Sequence, residues 1–142
     1  MELFFEFVRN HWELWSAFAL IIILLLINEW LNKGKGQQKL SPAQAVNLIN
    51  KENAQVVDLR DMENFRQGHI IGAKHIPREE LANKINVLTK FKNTPLILTC
   101  AQGQFSTLAA TLLRKHEFTQ IYILNGGIAA WQNADLPLEK GR

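Results

Sequence analysis

The chain contains one cysteine, Cys100, which lies where a short apolar run ends and a helical pattern begins. The run Leu96–Thr99 has the composition of a buried strand, and apolar residues recur at helical spacing over residues 106–116. In a tight loop between a strand and a helix, backbone N–H groups converge on the centre, and the positive end of the helix dipole lies behind them. A cysteine in such a loop has a lowered pKa, so its nucleophilic thiolate is populated near neutral pH.

Gly103 supports this interpretation, because a loop that curls around one atom usually needs a residue that tolerates a positive φ. The alternative is that Cys100 is only a small buried hydrophobic residue, as free cysteines often are. One cysteine excludes an intramolecular disulfide and a zinc site built from cysteines, and the four histidines lack ligand-like spacing. The net charge of +3 is too small to indicate a nucleic-acid partner.

The amino-terminal part of the chain has the composition of a membrane span. Residues 14–27 carry no charge, and with Trp30 and Leu31 the run approaches the roughly 20 residues that cross about 30 Å of hydrocarbon. The alternatives are a buried core helix, which the lack of a polar face disfavours, and a cleavable signal peptide, which the acidic leader disfavours. The sequence predicts an N-terminal flank over residues 1–13 and one transmembrane helix over residues 14–31.

Basic residues set the predicted orientation. Lys33, Lys35 and Lys39 follow the span, whereas only Arg9 and the α-amino group precede it. This bias places the carboxyl-terminal side in the cytoplasm, as in a single-pass protein of the inner membrane. Residues 32–39 read as a polar linker, and a soluble domain is expected over residues 40–142, opening on a helix capped by Ser41.

Strand and helix patterns alternate through that domain. Short strands are predicted over residues 55–59, 72–77, 96–99 and 120–124, with helical segments over residues 62–67, 79–88 and 106–116 and after Gly127. Such alternation predicts an α/β fold, with a doubly wound parallel sheet and helices on both faces. Asp58 and Arg60 come at the end of the first of these strands, where α/β sheets commonly open onto a site.

Two sequence blocks resemble the single-domain rhodaneses, a family of sulfurtransferases. The first block comprises residues 57–60 (VDLR) and 68–77 (GHIIGAKHIP). The second comprises residues 100–106 (CAQGQFS), 126–131 (GGIAAW) and 136–137 (LP). The resemblance covers roughly residues 40–141. It implies a rhodanese-like α/β domain whose cysteine carries a persulfide, behind an anchor like that of some bacterial inner-membrane members.

The resemblance assigns expected roles to individual residues. Cys100 matches the sulfur-carrying cysteine, and Asp58 and Arg60 match a charged pair that, with Ser106, supports the loop. The loop amides that would cradle the sulfur belong to Ala101, Gln102, Gly103, Gln104 and Phe105. The Asp58–Arg60 pair also has a purely structural interpretation, as an ion pair that fixes a strand end, which we favour over substrate contact.

Four further residues of the two blocks are interpreted as structural. His69 is interpreted as a core or capping histidine, not a catalytic base. Gly126, Gly127 and Trp131 are interpreted as packing residues. The implied reaction needs no metal or organic cofactor.

Phe105 departs from the family pattern, because many family loops carry arginine or lysine at this position. Without a basic residue in the loop, attraction for an anion must come from amides and the helix dipole, or the donor is not a small anion. The expected partners are a sulfur donor (thiosulfate, polysulfide or protein persulfide), a thiol acceptor, membrane lipid and a possible membrane-protein client.

Two other functions compete with sulfur transfer. A cysteine phosphatase would need an arginine six residues after the cysteine to clamp the phosphate, and that position is Ser106. A membrane-tethered binding module that keeps the rhodanese fold with little or no catalysis is the remaining alternative. The membrane span and the uncharged loop favour that alternative, whereas Cys100 and Gly103 favour the enzyme.

Overall fold

The structure is a computed structural model that describes residues 1–33 and 38–141. It divides into two compact units, Met1–Gly36 and Gln37–Arg142. Residues 34–37 of the predicted linker lie outside the described part of the chain.

The first unit is helical. Helix α1 spans Glu2–Asn10 and helix α2 spans Trp12–Lys33, with His11 between them. The predicted span over residues 14–31 therefore lies inside a longer helix. Within it, Trp12–Leu31 is long and apolar enough to cross a membrane, and none of that window is buried.

A five-stranded parallel sheet forms the centre of the second unit. Its strands are β1 (Gln38–Leu40), β2 (Gln55–Asp58), β3 (Lys74–His75), β4 (Leu96–Thr99) and β5 (Ile121–Leu124). They lie in the order β1-β5-β4-β2-β3, and every pair is parallel. All carboxyl ends therefore meet at one edge of the sheet, which brings segments far apart in the sequence to one place.

The helices that cover the sheet follow the sequence signals closely. They are α3 (Pro42–Glu52), α4 (Met62–Gln67), α5 (Ile85–Leu88), α6 (Ser106–Lys115) and α7 (Gly127–Asn133). Ser41 and Gln44 form a reciprocal capping box at the start of α3, with Pro42 at the first helical position. Asp61 caps α4 by accepting a hydrogen bond from Asn64 N at 2.8 Å.

Alternate residues of each central strand enter different hydrophobic clusters on the two faces of the sheet. In β2, Val57 packs with α5 and α6, whereas its neighbour Val56 packs with α3 and α7. In β4, Leu96 and Leu98 join the first cluster and Ile97 joins the second. The predicted doubly wound α/β fold is confirmed, with helices on both faces of a parallel sheet.

Two local predictions differ from the structure. Gln38 and Lys39, assigned to the linker, belong to strand β1, which pairs with β5 through Gln38↔Tyr122 and Lys39↔Ile123. Both side chains are exposed on an edge strand, so the strand shows no apolar pattern. The predicted helix over residues 79–88 is a 3₁₀ turn at Arg78–Glu80, a further turn, and the short α5.

Candidate active site

The loop that carries Cys100 is held between the end of β4 and the start of α6, as the sequence predicts. Gly103 has φ +91°, a conformation that favours glycine, and its amide donates a hydrogen bond to Cys100 Sγ at 3.0 Å. Cys100 is only 7% exposed. The loop therefore presents a backbone donor to a largely enclosed sulfur.

Opposing forces act on the ionisation of Cys100. Burial raises the pKa of the thiol, but the hydroxyl and amide of Ser106 and the amides of Phe105 and Gly103, which lie close to the sulfur, lower it by more. The net effect is a lowered pKa, because these donors stabilise the charged form. The thiol of Cys100 therefore ionises more readily than an ordinary cysteine.

Ser106 lies fully buried at the first position of α6. Its Oγ has no hydrogen-bond partner among the described residues. It nevertheless lies close enough to the sulfur to lower the pKa of Cys100. A hydroxyl hydrogen rotates freely, so it can turn to the sulfur once the sulfur is negative. Ser106 is therefore a donor whose strongest interaction forms with the charged sulfur.

Helix α7 fixes the opposite side of the loop. The amides of Ile128 and Ala129 donate to the carbonyl oxygens of Cys100 and Ala101 at 3.0 and 3.3 Å. These two carbonyl groups therefore point toward α7, so the partial negative charge of their oxygens lies away from the sulfur. Gly127 and Trp131 of α7 are buried, and Trp131 Nε1 donates to Pro137 O at 3.1 Å.

A cavity of about 330 Å³ opens beside the sulfur at the carboxyl edge of the sheet. The residues that line it are Leu59, Arg60, Asp61, Asn64, Arg78, Glu79, Cys100, Ala101, Gln102, Gln104 and Phe105. The structure thus brings Cys100 together with Arg60 and four of the five predicted loop residues. The fifth, Gly103, contributes its amide to the sulfur.

Asp58 and Arg60 form a closely matched ion pair behind this cavity. The Arg60 Nη2 donates to Asp58 Oδ2 at 2.8 Å, Arg60 Nε donates to Oδ1 at 3.0 Å, and the Arg60 amide also donates to Oδ1 at 3.0 Å. Arg60 Nη2 donates in addition to Gly68 O at 2.7 Å. Asp58 is fully buried and is not among the cavity-lining residues, so these contacts favour the structural interpretation of the pair.

His69 packs away from the sulfur. Its ring stacks on Phe65 at a centroid distance of 3.8 Å, and its Nδ1 lies 2.8 Å from Phe65 O. On the other side of Phe65, His75 stacks at 4.5 Å, and its Nε2 lies 2.7 Å from Arg60 O. His75 therefore braces the backbone of Arg60, whereas His69 packs on Phe65 of α4.

Comparison with known proteins identifies the family. The profile of the rhodanese-like domain matches residues 41–134, which is more than half of the chain. The chain belongs to the rhodanese-like family. The family assignment made from the two sequence blocks is thereby confirmed.

Relatives of this rhodanese-like chain differ in how much of its length they cover. YibN of Escherichia coli K12 is 34% identical over 143 residues, covering all of both chains. A Pseudomonas putida protein named thiosulfate sulfurtransferase GlpE is 35% identical over 102 residues, covering 72% of this chain and 90% of the relative. A rhodanese-like domain protein of Staphylococcus aureus has a similar crystal structure, with TM-score 0.65 and 25% identity, covering 75% of this chain and 100% of that one.

Five residues that line this cavity were not among the predicted site residues: Leu59, Asp61, Asn64, Arg78 and Glu79. Arg78, directly after the His75-Ile76-Pro77 segment, places its guanidinium carbon 5.4 Å from the centroid of the Phe105 ring. The available signal was a basic residue shortly after a predicted strand, at the edge where the other strand ends meet. Phe105, which replaces the usual basic residue of the loop, therefore lies against a cation from another segment.

Proposed function

We propose that the chain is a membrane-anchored sulfurtransferase that moves a sulfane sulfur from a donor to a thiol acceptor through a persulfide on Cys100. The observation that carries the proposal is the environment of Cys100 Sγ, which accepts a hydrogen bond from Gly103 N at 3.0 Å beside an open cavity. The lowered pKa of the thiol supplies the nucleophile. Relatives named thiosulfate sulfurtransferase support this reaction class.

In the first half-reaction the Cys100 thiolate attacks the outer sulfur of the donor. With thiosulfate, a sulfur–sulfur bond forms to Cys100 while the sulfur–sulfur bond of the donor breaks, and its electron pair leaves on sulfite. The product is a cysteine persulfide anion. The Gly103 amide and the Ser106 hydroxyl surround the sulfur, so they stabilise negative charge at the place where the reaction needs it.

In the second half-reaction an acceptor thiolate attacks the outer sulfur of the persulfide. The bond between the two sulfurs breaks, and Cys100 leaves as a thiolate. A thiol of lowered pKa is a better leaving group, so the same donors assist both half-reactions. Polysulfides and protein persulfides can supply sulfur by the same displacement.

Membrane anchoring by α2 is the second part of the proposal. Its 22 residues extend about 33 Å at the usual rise per residue, which matches the roughly 30 Å hydrocarbon layer. The apolar side chains of residues 14–31 are exposed to their surroundings. The excess of basic residues after the span favours a cytoplasmic sulfurtransferase domain.

Turnover assays test the chemical part of the proposal. The full chain in detergent should transfer sulfur from thiosulfate or polysulfide to a dithiol acceptor, and Cys100→Ser should abolish transfer. Lys90→Gln, on an exposed residue outside the cavity, is a control that should retain activity. If small and protein donors both fail with the wild-type chain, the tethered binding module becomes the better account.

Fractionation tests the anchor and its orientation. The full chain should remain in the membrane fraction after an alkaline carbonate wash, because a spanning helix is not released by charge disruption. Protease added to intact spheroplasts should leave the domain uncut, and lysis should expose it. Release by carbonate contradicts the anchor, and digestion without lysis contradicts the orientation.

A further inference from the structure

Two basic side chains line the Cys100 cavity, and Arg78 is the more accessible of them. Arg60 Nε and Nη2 are engaged by Asp58 and by the carbonyl of Gly68, and the side chain is only 11% exposed. Arg78, by contrast, uses only its Nε among the described residues, donating to Glu79 Oε1 at 2.8 Å. Its side chain is 59% exposed and lines the cavity, and its two terminal nitrogens make no hydrogen bond to the described residues.

The position of Arg78 is fixed by contacts at both ends of the residue. Its amide donates to Leu59 O at 3.2 Å, which ties the backbone to the end of β2. Its guanidinium lies over the Phe105 ring at 5.4 Å, within the range of a cation–π contact. Phe105 is itself half-buried and packed against the core. The ring therefore acts as a platform that holds the cation beside the Cys100 loop.

We propose that Arg78, supported on Phe105, forms the anion subsite of the Cys100 cavity and binds the charged end of a small anionic sulfur donor such as thiosulfate. The proposal rests on the sulfur-transfer function proposed above. A guanidinium presents a planar fork of donors that suits the oxygens of an oxyanion. With the oxygens on Arg78, the sulfane sulfur of the donor is directed to Cys100.

The same contact assists the chemical step. As the sulfur–sulfur bond of thiosulfate breaks, negative charge grows on the departing sulfite. A cation that already holds the sulfite oxygens stabilises this charge more strongly in the transition state than in the ground state. Loss of Arg78 should therefore lower kcat/KM for anionic donors.

Neighbouring acids set the strength of the subsite. The hydrogen bond from Arg78 lowers the pKa of Glu79, so Glu79 stays ionised and partly neutralises the guanidinium. Both partners are exposed, and such pairs exchange readily for other ligands. Asp61 also lines the cavity, but it is engaged by Asn64 at the start of α4.

Donor charge supplies the decisive test. Steady-state kinetics of the full chain should be measured with thiosulfate and with an uncharged organic trisulfide for wild type, Arg78→Gln, Arg78→Lys and Glu79→Gln. With the trisulfide, the Cys100 thiolate attacks the central sulfur and displaces one organic thiolate, and the thiol acceptor then removes the other organic thiol as a mixed disulfide, which leaves the persulfide on Cys100. Lys90→Gln is the matched control, because it removes the same charge from a residue that also lies over an aromatic ring, Phe91, but outside the cavity.

Arg78→Gln should lower kcat/KM for thiosulfate about tenfold and leave the trisulfide nearly unchanged. Arg78→Lys should retain part of the activity, and Glu79→Gln should raise it by a few-fold as the guanidinium is released. Added salt should reduce the difference between wild type and Arg78→Gln. Equal losses with both donors, or no loss with either, would overturn the subsite; absence of turnover in the wild type would instead overturn sulfur transfer.

An independent observation concerns helix α1. Its apolar residues Leu3, Phe4, Phe7 and Val8 lie on one face by helical spacing, Glu2, Glu6, Arg9 and Asn10 lie on the other, and Phe5 lies at the edge between Val8 and Arg9. Every side chain of α1 except the half-buried Val8 is exposed. Apart from the contact of the Phe7 ring with His11 at 4.7 Å, the apolar face is therefore left uncovered by the described residues.

Only His11 separates α1 from α2. The carboxyl end of α1 must therefore lie next to the start of the proposed membrane span. The apolar face continues past the junction, where a shallow groove of about 290 Å³ is lined by Phe7, His11, Leu14, Trp15 and Phe18. We infer that α1 lies in the headgroup region of the bilayer with this face toward the acyl chains. The inference rests on α2 spanning the membrane.

The charges of α1 indicate which lipid surface it suits. Glu2 and Glu6 oppose the single cation Arg9, so the helix has no excess positive charge that would attract anionic headgroups. Binding therefore depends on apolar area. Neutral phosphatidylcholine bilayers should hold α1 as well as bilayers that contain phosphatidylglycerol.

Spin labels on single cysteines test the depth of α1. In a Cys100→Ser background, the full chain with Phe4→Cys, Glu6→Cys or Ile22→Cys is reconstituted into phosphatidylcholine vesicles. Labels at positions 4 and 22 should collide mainly with oxygen and the label at 6 with a water-soluble nickel reagent. If position 22 reports lipid while 4 and 6 both report water, the α1 inference is wrong; if position 22 also reports water, the anchor is wrong.

Discussion

The carbonyl oxygen of Cys100 accepts a hydrogen bond from the amide of Ile128 at 3.0 Å, which joins the sulfur-bearing loop directly to helix α7. The approach requires Gly127, because a Cβ at that position would lie 2.2 Å from Cys100 O. The packing role expected for Gly127 thus also sets the orientation of the loop carbonyls. Helix α7 therefore positions the loop, although none of its residues lines the cavity that Cys100 shares with Arg78.

Substitution of Gly127 tests that dependence. Gly127→Ala combines a residue at φ +60° with the backbone clash, so it should destabilise the fold by more than about 2 kcal/mol and displace the loop. Gly72→Ala is the control, because Gly72 has φ +79° but open space for a Cβ, and only a conformational cost of about 1 kcal/mol is expected. Urea unfolding of the full chain in detergent compares the two. Equal losses would contradict the close approach.

The ionisation of Cys100 can be measured by alkylation. Because hydrogen bonds lower the pKa of the thiol more than burial raises it, the reactive thiolate should persist at a pH where an ordinary thiol is protonated. The rate of iodoacetamide reaction should therefore rise with pH around a midpoint below that of glutathione. A midpoint at or above that of glutathione would contradict the claim that the loop lowers the pKa of Cys100.

Ser106→Ala separates the hydroxyl from the backbone donors. The variant keeps the amides of residues 103, 105 and 106 but loses the Ser106 hydroxyl, which is the largest of the contributions that lower the Cys100 pKa. The alkylation midpoint should move upward, while stability should change little because Ser106 Oγ has no other partner among the described residues. An unchanged midpoint would assign the lowered pKa to the amides alone.

The Asp58–Arg60 pair should act mainly on stability. Asp58→Asn removes the charge opposite Arg60 at a fully buried position and should reduce the free energy of unfolding by about 3 kcal/mol. Glu80→Gln, which breaks the exposed pair with Lys84, should reduce it by less than about 0.5 kcal/mol. Far-ultraviolet circular dichroism during urea titration measures both variants. Similar values would contradict the structural role of Asp58.

The sequence predicts the position of the Cys100 loop between a strand and a helix because its signals are local. A buried strand, a single cysteine, a glycine and a helix follow one another without interruption, and each step has its own residue preference. The alternation of strands and helices likewise predicted the parallel sheet. Cys100, the loop amides and the Asp58–Arg60 strand end all follow from these short-range patterns.

The features that were missed depend on tertiary pairing. Arg78 meets Phe105 because β3 and β4 end at the same edge of the sheet, a relationship that neither residue's neighbours encode. Strand β1 carries exposed polar side chains and exists through backbone pairing with β5. Sequence patterns report burial, so an exposed edge strand and an exposed cation leave little trace in them.

Mass spectrometry of the sulfur on Cys100 tests the central claim most directly. The full chain is incubated with thiosulfate or polysulfide, freed of donor, and digested with trypsin, which should release residues 93–114 with Cys100 inside. The peptide should gain the mass of one sulfur atom, lose it on treatment with a thiol acceptor, and show no gain in Cys100→Ser. If Cys100 never acquires a sulfur atom from small or protein donors, the sulfurtransferase account is contradicted.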